Sequence, residues 1–537
     1  MLRSTILVIL LALTVNAQES QLGRVDFPTS GSPKAQAPFL RGLAALHSFW
    51  YEEALDAFRE STKADPDFMM GYWGEAMAYN HPLWSEQDLA AARGVLAKIK
   101  DTPKLTARER AYLNAIKLLY GDGDKRARDA AYSAAMEKIY RAYPEDLDAA
   151  AFYSLSLLGL AGPNTKGYRL QAQAGAIALA VYEKNPNHPG AAHYIIHAFD
   201  DPDHAILALP AARRYADIAP EAHHARHMPS HIFLQLGMWP EAAASNESAW
   251  ESSDNWMKRK NLSVSVRDYH SLHWLLYAYL QQGRYRKADE LLQLMKKVMS
   301  ESTYDNKLRP DYYENNWANM ASAFIVETER WNLASELFPA DKTPAPASTE
   351  TQPSGGHAGH GAPATSSAPA TTSNTMRYSG AARTLPPFIR ALSAAIRGSN
   401  DVTTGLPEIR ALEVEALKAS IKADHEKAIE LIKKAAELEE QGPAPSGPPS
   451  LIKPTHELFG EILLRAGKPA EALAQFKTAL LRQPNRARSL LGAARAANQS
   501  GDSAAAGNYY AKLLEQWKQA DEDLPELREV RGFLTLK

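Results

Sequence analysis

Paired histidines are the chemically capable residues of this chain. His193 and His197 are four residues apart, as are His227 and His231, and each member of the first pair precedes its counterpart in the second by 34 residues. Residues i and i+4 share one face of a helix, so each pair projects two imidazoles side by side. Neutral imidazole is a common ligand for zinc, copper, iron and nickel. The stretch from Asn185 to Trp239 holds eight of the sixteen histidines, with Asp200, Asp201, Asp203 and Glu221 as further ligands or hydrogen-bond partners. One zinc ion takes four ligands, or three and a water. The supply here exceeds that, so two metal ions are conceivable.

Other chemistries are excluded or thin. The chain has no cysteine, which removes thiolate ligands, thiolate nucleophiles and disulfides. Neither HYIIH nor HMPSH carries glutamate after its first histidine, so the metalloprotease pattern with that residue as general base is absent. A GxSxG elbow, a phosphate loop and a dinucleotide fingerprint are absent too. With a formal net charge of −2 and dispersed basic residues, there is no electrostatic footprint for nucleic acid.

The elements that must position these residues are helices. The chain is alanine-rich, with helical periodicity and few β-branched runs over 537 residues, and reads as all-α. A spacing of 34 residues is the length of a helical hairpin repeat. Pro186 and Pro220, again 34 apart, end successive units. Tyr72, Ala76 and Tyr79 in one helix, with Ala54, Phe58 and Pro66 in the preceding one, and the run GKPAEALAQFKTALLRQP from Gly467, give a pattern that resembles tetratricopeptide repeats. The likeness covers most of residues 35 to 339 and 405 to 520 and extends to secreted bacterial proteins of that family. It implies a solenoid of stacked helical hairpins, with the fifth and ninth positions of each first helix lining a concave side. His193 and His227 fall at position five, His197 and His231 at position nine, and His273 at position five of a later unit. These five are the main metal-ligand candidates for zinc or copper. His47, His81, His223, His224, His270 and Asp200 form a second rank. The resemblance also implies an alternative function, a non-enzymatic scaffold that docks a partner protein or peptide in its concave groove.

Further residues and segments carry their own expectations. Pro229 falls between His227 and His231 and is expected to kink or restart their helix. Glu75 sits at a core position and calls for a partner, His81, Asn80 or an arginine; Glu457 and Glu461 are expected on a solvated concave face. Residues 1–17 read as a secretory signal peptide, cleaved after Ala17, which implies a periplasmic or secreted protein. Residues 18–339 form an N-terminal solenoid bearing the histidine-rich site, and 340–375, rich in Pro, Ala, Ser, Thr and Gly, a disordered linker or inserted loop that contains His357 and His360. Residues 376–537 hold further repeats. No segment of the mature chain is apolar enough to span a membrane.

Overall fold

The computed structural model describes residues 21–161, 167–301, 312–339, 380–399, 405–442 and 452–535. The expected leader, His357 and His360 lie outside them. The first helices are α1 (Pro33–His47), α2 (Tyr51–Ala64), α3 (Met69–Met77), α4 (Leu89–Leu96), α5 (Ala107–Leu119) and α6 (Lys125–Ala142). The central ones are α7 (Leu147–Leu160), α8 (Arg169–Lys184), α9 (Pro189–Ala198), α10 (Ala205–Ile218), α11 (His223–His227), α12 (Pro229–Gln235) and α13 (Trp239–Lys260). Then follow α14 (Tyr269–Gln281), α15 (Tyr285–Met299), α16 (Tyr312–Thr328), α17 (Ala334–Leu337), α18 (Gly380–Ile396), α19 (Glu408–Ile421) and α20 (His425–Glu440). The last are α21 (Thr455–Arg465), α22 (Pro469–Arg482), α23 (Ala487–Gln499), α24 (Ser503–Gln516) and α25 (Pro525–Thr535). Successive helices pack on one another, giving an all-α, tetratricopeptide-type solenoid of helical hairpins. None of the described helices is long and apolar enough to cross a membrane.

Buried phenyl rings lock the stack at several helix crossings. Phe58 of α2 is fully buried between Gly42 of α1 and Gly74 of α3, where an added Cβ would come within 2.9 and 2.2 Å of its ring. Near the other end, Phe476 of α22 sits between Gly460 of α21 and Gly492 of α23 in the same way, at 2.7 and 2.3 Å. The glycines let the helices cross closely, and the phenyl ring fills the space so made.

The C-terminal hairpins meet the central ones. α18 packs on α16, and Ala382 N–H donates to Asn315 at 2.9 Å. Further on, Trp239 Nε1 donates to the Asn485 carbonyl at 2.9 Å and Trp517 Nε1 to that of Gln281 at 3.0 Å. Between these contacts Arg486, fully buried, binds Glu327 at 2.6 Å, Glu457 at 2.8 Å and the Tyr277 hydroxyl at 2.7 Å. Glu457 is therefore part of a buried ion network, completed by Lys453 at 3.0 Å, rather than on a solvated concave face. Glu461 is partly exposed and shares Lys453. Glu75 takes an arginine, with Arg59 Nε at 2.8 Å.

Ala in place of Gly74 would drive a methyl group into the Phe58 ring. Overpacking of this kind costs about 1–3 kcal/mol, so Gly74→Ala should lower the urea midpoint of unfolding; an unchanged midpoint would show that the α2–α3 crossing can open freely.

Candidate metal centre

The sequence builds the site from the ends of four helices. α9 begins where Pro189 occupies the first turn and His188 caps it, the His188 Nδ1 accepting from Ala191 N–H at 3.2 Å. Proline suits that position because it has no N–H to leave unpaired. One turn later His193 and His197 project from the same face. Pro229 ends α11 at His227 and opens α12, as its missing donor dictates. The interruption does not separate the second pair: His227 Nε2 and His231 Nε2 lie 3.1 Å apart.

Two trios of imidazoles result. His193 Nε2 lies 3.0 Å from His197 Nε2 and 3.1 Å from His224 Nε2, and His227, His231 and His270 bring a ligand atom each within 4.8 Å of one another. The trios adjoin, because His224 and His227 share α11 with ring centroids 6.1 Å apart, and His197 and His231 approach to the same distance. The doubled HxxxH residues thus divide between two centres. His224 and His270, from the second rank, complete them. His273, one turn beyond His270, belongs to neither trio; burial pushes its imidazole down to about 4. His223 turns toward Asp268 at 3.3 Å and packs against Trp50 and Trp256. His81 lies beyond the end of α3 in a two-residue strand, Asn80–His81, and stacks on Tyr51 at 3.9 Å. Of the remaining histidines, His204 pairs with Asp201 at 2.8 Å and His456 with Gln475 at 2.8 Å.

The trios are buried, with only His197 partly exposed, so they do not line an open groove. Phe49, in the turn between α1 and α2, places its ring 4.3 Å from that of His193, and Trp274 lies 4.4 Å from His231. Phe49 has φ of 53°, the left-handed region that a non-glycine residue occupies at a cost. The chain accepts that strain where an aromatic lid covers the first trio.

The outer nitrogens decide the protonation of the inner ones. His231 Nδ1 meets Asp200 Oδ2 at 2.7 Å, His193 Nδ1 meets the His47 carbonyl at 2.7 Å, and His227 Nδ1 meets Asn246 Oδ1 at 2.7 Å. The Asn246 amide is oriented because its NH2 donates to the Ala242 carbonyl at 2.8 Å. All three partners are acceptors, so each Nδ1 carries the proton and, in the neutral ring, each Nε2 presents a lone pair to the centre. Such outer partners fix tautomer and ring angle in metal sites.

A third group lies behind the first trio. His47 Nε2 binds Asp148 at 2.8 Å, His188 Nε2 approaches the same carboxylate to 3.4 Å, and the Tyr194 hydroxyl meets His47 Nδ1 at 2.9 Å. Burial alone would raise the Asp148 carboxyl, but hydrogen bonds from His188 and His47 outweigh it and hold it well below the usual range. Burial lowers the His47 imidazole, and Asp148 offsets part of this. A Cβ at Gly190 would lie 2.4 Å from His47 Nδ1, so only glycine lets α9 approach this ring. His47 is thereby held as a residue whose carbonyl anchors His193.

No family model and no curated protein matches the sequence. Several solved structures are similar to it. Cut9–Hcn1 of the APC/C matches with a TM-score of 0.34 and 10% identity over 93% of this chain and 75% of that one. The TPR domain of P58(IPK) gives 0.20 and 12% over 94% and 98%, and yeast Tom70 gives 0.23 and 10% over 94% and 88%.

His273 generates a pH prediction. Its folded value of about 4 lies below the ordinary 6.5, so the neutral ring contributes stability that is present above pH 6.5 and lost as pH falls toward 4. The slope this adds approaches about 1.36 kcal/mol per pH unit. Urea unfolding of the wild type and His273→Leu should therefore show a weaker loss on acidification in the variant; parallel losses would mean that His273 titrates normally.

Proposed function

We propose that the chain binds transition-metal ions, zinc or copper, at two adjacent three-histidine centres within an exported solenoid protein. The observation that carries this reading is the contact between His227 Nε2 and His231 Nε2 at 3.1 Å. Both rings turn their Nδ1 atoms outward, to Asn246 and Asp200, so the two Nε2 atoms face each other inside the fold. A metal ion is a cation that both nitrogens can ligate at once. Residues 1–17, read as a leader, support export, and without cysteine the imidazoles, carboxylates and methionine thioethers are the ligands available.

A scaffold role for partner proteins agrees with the solenoid architecture. The buried position of the trios separates them from any groove on its surface, so the two roles are independent.

Elemental analysis of untagged protein, beside a variant in which His193, His197, His227 and His231 are all alanine, tests the reading. Up to two ions per chain are expected in the first and none in the second. Asp200→Asn should keep the fold and weaken metal retention about 10–100-fold, as loss of an outer carboxylate does elsewhere. Wild-type protein that retains neither zinc nor copper after incubation with each would overturn the proposal.

A further inference from the structure

We infer that Gln235 is a positioning residue of the second trio: its side-chain amide aims the Asp200 carboxylate at His231, which sets the angle at which that ring faces the centre. The inference rests on the metal-binding reading above and adds a residue that acts through another, two contacts away from the ion.

Spacing is the first ground. Gln235 follows His231 by four residues on α12, so the two side chains leave the same face of the helix. The group between them comes from another element, since Asp200 lies beyond the end of α9 in the connection to α10. His231 Nδ1 meets Asp200 Oδ2 at 2.7 Å, and Gln235 Nε2 donates to Oδ1 of the same carboxylate at 3.1 Å. One helix face thus grips both oxygens of one carboxylate.

The freedom of an aspartate is the second. Its carboxylate turns about χ2 over a broad, roughly two-fold range, so a contact to one oxygen leaves the plane of the group undecided. The acceptors on the other two outer nitrogens are steadied by main chain: the His47 carbonyl is itself main chain at the end of α1, and the Asn246 amide donates to the Ala242 carbonyl at 2.8 Å. Asp200 is a side chain on a connection between helices. Gln235 gives it the second contact that Asn246 takes from Ala242.

Selection among neighbouring carboxylates is the third. The same connection carries Asp200, Asp201 and Asp203. Asp203 is exposed, and Asp201 serves the turn, accepting from the Asp203 and His204 N–H groups at 2.9 and 3.1 Å and meeting the His204 ring at 2.8 Å. Of the three, only Asp200 is buried, and Gln235 is buried with it. A buried carboxylate is costly unless hydrogen bonds offset its lost hydration. The Gln235 amide supplies one on the oxygen that His231 does not use. A neutral donor suits this place, whereas a glutamate there would set two like charges against each other.

The test titrates the full-length, untagged chain with Zn2+ against a chromogenic chelator. Gln235→Leu and Gln235→Met, each with wild-type circular dichroism, should bind one of the two ions about tenfold more weakly and leave the other unchanged, the low end of the range for outer partners of metal ligands. In an Asp200→Ala background the same substitutions should cost no more than about twofold, because a residue that acts through Asp200 then has nothing to aim. A loss that persists undiminished beside Asp200→Ala would make Gln235 a packing residue and overturn the inference, as would unchanged affinity in both Gln235 variants. Wild-type protein that holds no metal would remove the metal reading, and the contact is then read in the metal-free chain. There the His231 ring N–H signal in 15N-resolved NMR, assigned by its loss in His231→Gln, should be sharp in the wild type and broadened by exchange in Gln235→Leu and Asp200→Ala. A signal as sharp in Gln235→Leu as in the wild type would overturn the positioning role whatever the metal content.

Discussion

The convergence of imidazole ring nitrogens is the constraint around which the centre of this molecule is arranged. An imidazole has one proton to place when neutral, and His193, His227 and His231 each have theirs drawn outward, to a carbonyl, an amide oxygen and a carboxylate. Their inner nitrogens lie at hydrogen-bond distance from other imidazoles. In water such rings would turn away or take up protons. Inside the fold Phe49 and Trp274 pack against the rings of His193 and His231. The proposed metal ions would be held by these converging nitrogens.

The solenoid makes that convergence possible. Successive first helices of the hairpins stand side by side, so residues with the same register in consecutive repeats come together. Acceptors arrive from outside each pair: Asp200 from the end of α9 crosses to His231 on α12, Asn246 reaches His227 from α13, and the His47 carbonyl reaches His193 from α1. Gly190 is needed where α1 and α9 meet, since a side chain there would displace the His47 ring. At the far side, the ion network around Arg486 ties α14 and α16 to α21. Removing one partner of such a buried network leaves an uncompensated charge, so the C-terminal hairpins help hold the central ones in place.

Much of this was legible in the residues. The 34-residue offset between His193 and His227 and between His197 and His231 carried both the repeat and the pairing, because periodicity is written directly into spacing. The arginine partner of Glu75 was among the foreseen options, and Pro229 does restart its helix. What spacing could not give was the partition. Repeat register favours His273 over His270, and nothing in the sequence separates His223 from His224. These choices depend on helix phase, and a rotation of one residue, about 100° on an α-helix, decides which ring faces the centre. Burial was not legible either. A repeat register that implies a concave lining says nothing of the residues that cover it, and Phe49 lies in a turn of the first hairpin, well over a hundred residues away in sequence. Glu457 was misplaced for the same reason, since its partner Arg486 belongs to the next hairpin.

Anomalous diffraction from crystals of the metal-loaded protein, collected on both sides of the copper and zinc absorption edges, tests the central claim most directly. The account predicts two peaks, one bounded by His193, His197 and His224 and the other by His227, His231 and His270, each bonded to Nε2 atoms. Anomalous density at neither trio, with the His227–His231 contact unchanged, would show that a proton alone holds these rings together and would contradict it.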